Sequence, residues 1–263
     1  MTGFANEIDS AVVLAPPAIA DDAGIRLSVH HLNFVALDSQ GIADWRARRA
    51  PLGMRPAMYR EFCSTFFAAA HKDGLGPHDI DVRLKGSASV IYSGRHKRLP
   101  TELNEWRTEF GKTRLGRPAP TVAEELDIVD SFQRLYFHQP LPFRRPFDTM
   151  VCLKIDREKS DYDIQVSSDL IERRCMDSTI RHAFDDWSIH DPKYDFIYDL
   201  IASSVINEIY LWSHRWTVAL GRSVNVKVFG ATGPRNRTAQ IGDLSSHFRA
   251  QDWMIRIPNP QED

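Results

Sequence analysis

Residues 160–166 read Ser-Asp-Tyr-Asp-Ile-Gln-Val, and the run alternates with a period of two. Such alternation describes a strand, in which residues two apart project to one face. Asp161 and Asp163 therefore stand side by side, and Tyr162, Ile164 and Val166 are left to pack. Two carboxylates held this close repel each other unless a cation lies between them. A hard divalent ion with oxygen ligands is the natural partner, and Mg2+ that shares its coordination sphere with phosphate fits. A hydrated edge strand carrying two acids is the plainer alternative, so the pattern gains meaning from what accompanies it.

Upstream, Asp81-Val82-Arg83-Leu84-Lys85 alternates in the same way and ends on Gly86-Ser87. A Gly-Ser at a strand-to-helix junction lets backbone approach a phosphate closely, with amides and a hydroxyl as donors. An ordinary turn is the alternative. Strand-Gly-Ser followed by a Ser-Asp-x-Asp strand resembles the DNA polymerase beta-like nucleotidyltransferases, near the branch that makes cyclic oligonucleotide signals. The resemblance covers these two motifs and the order of elements around them. It implies an α/β (α+β) fold with a mixed sheet, a triphosphate held by Gly86 and Ser87, and Mg2+ or Mn2+ ligated by Asp161 and Asp163.

Two departures from that pattern stand out. Asp161 lies seventy-four positions beyond Ser87, which implies a long insertion between the motifs, over about 95–149. Its first part, 95–117, holds seven basic residues against three acids. That stretch suits a polyphosphate or nucleic-acid backbone, or is simply a solvated face. The second departure is at 223–229, Ser-Val-Asn-Val-Lys-Val-Phe, an alternating strand where the superfamily supplies a third carboxylate. Asn225 and Lys227 stand there instead. Asparagine offers a neutral oxygen, and Lys227 is expected to neutralise a phosphate of the nucleotide.

The remaining chain reads as a loose arm over 1–24 and a single domain over 25–263. Helices are expected over 44–49, 56–72, 101–110, 121–137, 168–176 and, longest of all, 194–220. Pro56 opens and Gly74 follows the second of these, the usual asymmetry of helix ends. The apolar steps Ile197, Ile201, Val205, Ile209, Trp212, Trp216 and Leu220 define one face of the last, which Gly221 closes. Residues 148–155 read as a strand that forms a hairpin with 162–166, and 25–37 as a strand or an irregular segment.

A net charge of −2 gives no global attraction to nucleic acid, so any such surface is local. No apolar run approaches a membrane span. Cys63, Cys152 and Cys175 have no metal-ligand spacing and read as reduced, cytoplasmic thiols. The expected activity is transfer of a nucleoside monophosphate from an NTP to a nucleotide, RNA or protein acceptor. The alternative is an inactive relative that keeps the fold as a nucleotide-binding or interaction module. A hydrolase lacks support: there is no Gly-x-Ser-x-Gly and no Cys-His arrangement.

Overall fold

The computed structural model describes residues 37–93, 97–100, 103–113, 121–136, 145–183, 188–233 and 252–257. The expected arm over 1–24 and nearly all of 25–37 lie outside them. The described residues form an α+β structure with ten helices and one four-stranded mixed sheet. The chain divides into two compact units, one built from residues 1–55 and 86–160, the other from 56–85 and 161–263.

The first unit is helical. Helix α1 (Ser39–Arg46) starts at Asp38, whose carboxylate accepts the Gly41 amide and pairs with Arg55. The amide and the guanidinium together hold the Asp38 carboxyl below its ordinary value, against a smaller opposing effect of burial. Asp44 is buried, paired with Arg49 at 2.6 Å and bonded by Gln40. Trp45 donates its indole N–H to the Ser89 carbonyl, which ties α1 to a short helix α3 (Ser87–Val90). Helices α4 (Leu103–Thr113) and α5 (Val122–Tyr136) contribute Trp106 and Ile128 to a small core with Leu99, Leu153 and Ile155.

Residues 148–155 are not a strand. Thr149–Cys152 is a single helical turn, α6, and Leu153 and Ile155 enter the helical core instead of a sheet. Short apolar runs do not distinguish strand from buried helix by periodicity. The turn is fixed by a reciprocal bridge in which the Asp148 amide donates to Ser160 Oγ and the Ser160 amide donates to Asp148 Oδ1, both at 2.8 Å. This bridge anchors the residue immediately before Asp161.

The second unit holds the sheet. Helix α2 (Pro56–Lys72) precedes strand β1 (Asp81–Lys85), and strand β2 (Tyr162–Ser167) pairs antiparallel with β1. Helices α7 (Asp169–Met176), capped by Ser168, and α8 (Thr179–His182) follow. Next come α9 (Asp199–Val205), α10 (Asn207–Leu220) and strand β3 (Val224–Phe229), parallel to β2. A two-residue strand β4 (Trp253–Met254) completes the order β3-β2-β1-β4.

One sheet face is apolar. Tyr162, Ile164, Val166, Val82, Leu84, Val224, Val226 and Val228 are all buried. Phe62 of α2 sits edge-on to Tyr162, Trp212 and Trp216, and Phe66 edge-on to Trp212. The two indole N–H groups both donate to Thr65 Oγ1, so the polar edges of the tryptophans are satisfied inside the α2–α10 packing.

The single long helix expected over 194–220 is broken. Ile206 leaves helical geometry at φ −127° and ψ 57°, and 194–198 are not helical. The reason lies outside the segment. Asp73, just after α2, accepts the amides of Glu208 and Ile209 with its two carboxylate oxygens at 3.0 and 2.9 Å. It thereby caps α10 from a distant part of the chain, a cue that local periodicity cannot contain. Gly221, at φ 56°, ends α10 in the left-handed conformation, as expected.

No helix among the described residues is long and apolar enough to cross a membrane. Replacing the remote cap, Asp73→Ala, is expected to lower stability by about 1–2 kcal/mol, read as a lower urea midpoint with an unchanged slope.

Candidate functional site

The second sheet face is polar, and it carries both acids. Asp163 projects from β2, and Asp161 precedes that strand by one residue; both are exposed. Farther along the same face Gln165 and Ser167 are buried and bonded to each other at 3.1 Å. The face is therefore open at the acid pair and closed beyond it.

The neighbours of the pair follow from strand register. Asn225 of β3 lies directly beside Asp163, and Lys85 of β1 lies opposite it. Asn225 thus faces the pair, and its side-chain amide donates to Asp161 Oδ2 at 3.1 Å. This N–H offsets part of the charge on Asp161 without adding a full cation. Turning the amide over would present its oxygen to an arriving ion instead. The Tyr162 amide donates to the Ser223 carbonyl at 2.8 Å, so β2 and β3 stay in register up to the acids.

Lys85 is held by Asp252, with Nζ 2.5 Å from Oδ2. Asp252 also accepts from Arg83 at 3.3 Å, and Arg83 pairs with Asp81 at 2.5 Å. Asp81 first, and Asp252 after it, raise the Arg83 guanidinium above its ordinary value despite partial burial. Asp252 lies in the turn before β4 and is 8% exposed. It is engaged by two cations, Lys85 and Arg83, on the β1 side of the sheet.

Lys227 projects from β3 two residues beyond Asn225. Its ammonium lies 2.5 Å from Asp199 Oδ2 and 4.4 Å from the centre of the Phe196 ring. Tyr210 donates to the other Asp199 oxygen at 3.2 Å. Lys227 is thus on the polar face but balanced by its own counter-ion.

Gly86 follows Lys85 directly in the chain and belongs to the other compact unit. Gly86 has φ 77° and ψ −166°, a conformation essentially confined to glycine. The turn then bends into α3, with the Ser89 amide and hydroxyl both donating to the Gly86 carbonyl at 3.1 Å. Ser87 itself is 6% exposed.

Two site features escaped the sequence reading. The chain Asp81–Arg83–Asp252–Lys85 joins residues up to 169 positions apart, for which no local signal exists. Residues 194–198, expected within a helix, instead border β3 through Ile197, bridged to Val228.

Among the described residues, no group of three or more His, Cys, Asp and Glu side chains is placed to hold a metal ion. The pair with Asn225 offers two carboxylates and one amide. That set fits a Mg2+ or Mn2+ whose sphere is completed by phosphate and water, since Mg2+ commonly takes only one or two protein carboxylates. Burial pushes Cys63 and Cys152 up to about 11 and Cys175 up to about 12, so none is a ready thiolate nucleophile at neutral pH. No family model, curated protein or solved structure matches the chain.

The Asn225→Asp variant adds a carboxylate facing the pair and removes the donor to Asp161. It is expected to raise Mn2+ affinity roughly tenfold in the presence of a non-hydrolysable NTP, and to lower the urea midpoint in EDTA. Titration calorimetry and urea unfolding read the two effects.

Proposed function

We propose that this chain is a polymerase beta-like nucleotidyltransferase. It moves a nucleoside monophosphate from an NTP to a nucleotide, RNA or protein acceptor with Mg2+ or Mn2+. The observation that carries this reading is the register of the sheet's polar face. Asp163 stands between Lys85 and Asn225, with Asp161 on the same face. In the transfer, an acceptor oxygen forms a bond to the α-phosphorus. The bond from that phosphorus to the β-phosphate bridging oxygen breaks, pyrophosphate leaves, and the acceptor proton passes to solvent.

Asp161 and Asp163 would hold the cation. Asn225 limits their repulsion, and its side-chain oxygen would be available to the cation if the amide turned over. The resemblance assigns the triphosphate to Gly86 and Ser87. Lys227 can meet phosphate charge only by sharing itself with Asp199. Bound Mg2+ or Mn2+ supplies Lewis acidity and neutralises the negative charge that builds on the leaving group. With one acid fewer than usual, the site favours one firmly held cation and slow turnover, or dependence on a partner. Three thiols in the reduced state suit a cytoplasmic enzyme.

A second reading is a non-catalytic module that keeps the nucleotidyltransferase fold and binds nucleotide without turning it over. The amide already donating to Asp161, and the Lys227–Asp199 pair, favour it.

Incubation with each α-labelled NTP, Mg2+ or Mn2+, and bulk RNA or no acceptor separates the two. Metal-dependent pyrophosphate release supports the transferase, and nucleotide binding without release supports the module. Asp161→Asn and Asp163→Asn should each abolish release while the apo urea midpoint holds or rises, because each removes like-charge repulsion. Full turnover in both variants would show that these acids do not hold the metal.

A further inference from the structure

We propose that Lys85, held by Asp252 in the empty site, selects what the acid pair accepts: it disfavours a bare divalent cation and favours one that arrives with a polyphosphate. The inference rests on the transferase reading above and deepens it, since it concerns the form in which cation and nucleotide enter. Strand register carries it. On the polar face Lys85 of β1 lies opposite Asp163 of β2. On its other side β4 pairs Trp253 with Leu84, so one further step puts Asp252 beside Lys85, and the Nζ–Oδ2 contact of 2.5 Å agrees. Lys85 therefore stands in one cross-strand row between two acids, where directly opposed Cβ atoms are about 5 Å apart.

An ammonium in this row acts with opposite signs on two ligands. A divalent ion on Asp161 and Asp163 meets a like charge from the adjacent strand and is held less firmly. A cation already bound to a triphosphate brings net negative charge, and the same ammonium attracts it. The row also lets Lys85 move. The Asp252 side chain is only 5% exposed, and a buried carboxylate that lost its counter-ion would resist such a movement. Here Arg83 remains, with Nη1 3.3 Å from the same Oδ2. Its guanidinium is tied to Asp81 by two bonds, Nε to Oδ1 at 2.5 Å and Nη2 to Oδ2 at 2.9 Å. Asp252 thus keeps a fixed cation when Lys85 leaves. Lys85, with a flexible stem and three donors, is the mobile member of the network. Asp252 is its positioning residue, and draws the ammonium away from Asp163 until an anion arrives.

The test is titration of Mn2+ into the full chain, followed by the electron paramagnetic resonance of free Mn2+, without nucleotide and with each non-hydrolysable NTP in turn. Calorimetry gives the affinity for each NTP in Mn2+. Lys85→Met should tighten bare Mn2+ roughly tenfold and weaken the Mn2+–NTP complex by a similar factor. Asp252→Asn releases the ammonium toward Asp163. It should weaken bare Mn2+ about threefold and leave the Mn2+–NTP complex bound no less tightly than in wild type. Lys85→Arg retains the charge and should keep bare Mn2+ as weak as in wild type. Urea midpoints report whether each variant remains folded. A merely structural role does not produce opposed signs, because a loosened site loses both ligands. If Lys85→Met weakens both or changes neither, while wild type binds the Mn2+–NTP complex, the inference is overturned alone. If wild type binds neither Mn2+ nor the complex, the transferase reading is overturned with it.

Discussion

Mutual repulsion between two carboxylates on one strand face is the constraint around which the sheet is arranged. Asp161 and Asp163 cannot relieve it by turning away, because Tyr162 between them is locked into the apolar core. Relief comes from the neighbouring strands. Asn225 donates to Asp161, and β1 places Lys85 opposite Asp163. Lys85 is in turn held by Asp252, and Asp252 by Arg83, so the charge pattern extends across three strands. The result is a face on which cations and acids are interleaved around one exposed pair of acids.

That polar face can exist only because its reverse is so thoroughly apolar. Phe62, Phe66, Trp212 and Tyr162 form a continuous set of edge-on rings, each at most 2% exposed. Burial of rings of this size contributes several kcal/mol apiece. Such packing fixes the strand register, and register fixes which residues flank Asp163. The cap that Asp73 gives to α10 serves the same end, because α10 leads through Gly221 straight into β3.

Much of this was legible from residue order. Strand β1, helix α2 and helix α7 with its Ser168 cap follow local rules of alternation, proline placement and capping, and the structure has them at the expected positions. That Asn225 faces the acids depends on the pairing of β2 with β3, which alternation within either strand does not give. The failures share a cause. Residues 148–155 form a helical turn because Asp148 and Ser160 grip each other across twelve residues, and 194–220 breaks because Asp73 reaches α10 from far upstream. Both determinants are tertiary hydrogen bonds, which leave no periodic trace in the segments that they reshape.

The central claim is that the open acid pair holds the cation of a bound nucleotide. Crystals soaked with Mn2+ and a non-hydrolysable NTP, measured at the manganese absorption edge, test it most directly. The account predicts one anomalous peak at ligand distance from both Asp161 and Asp163, bridging to the triphosphate. A nucleotide bound with its manganese elsewhere, and no peak at the pair, would contradict it.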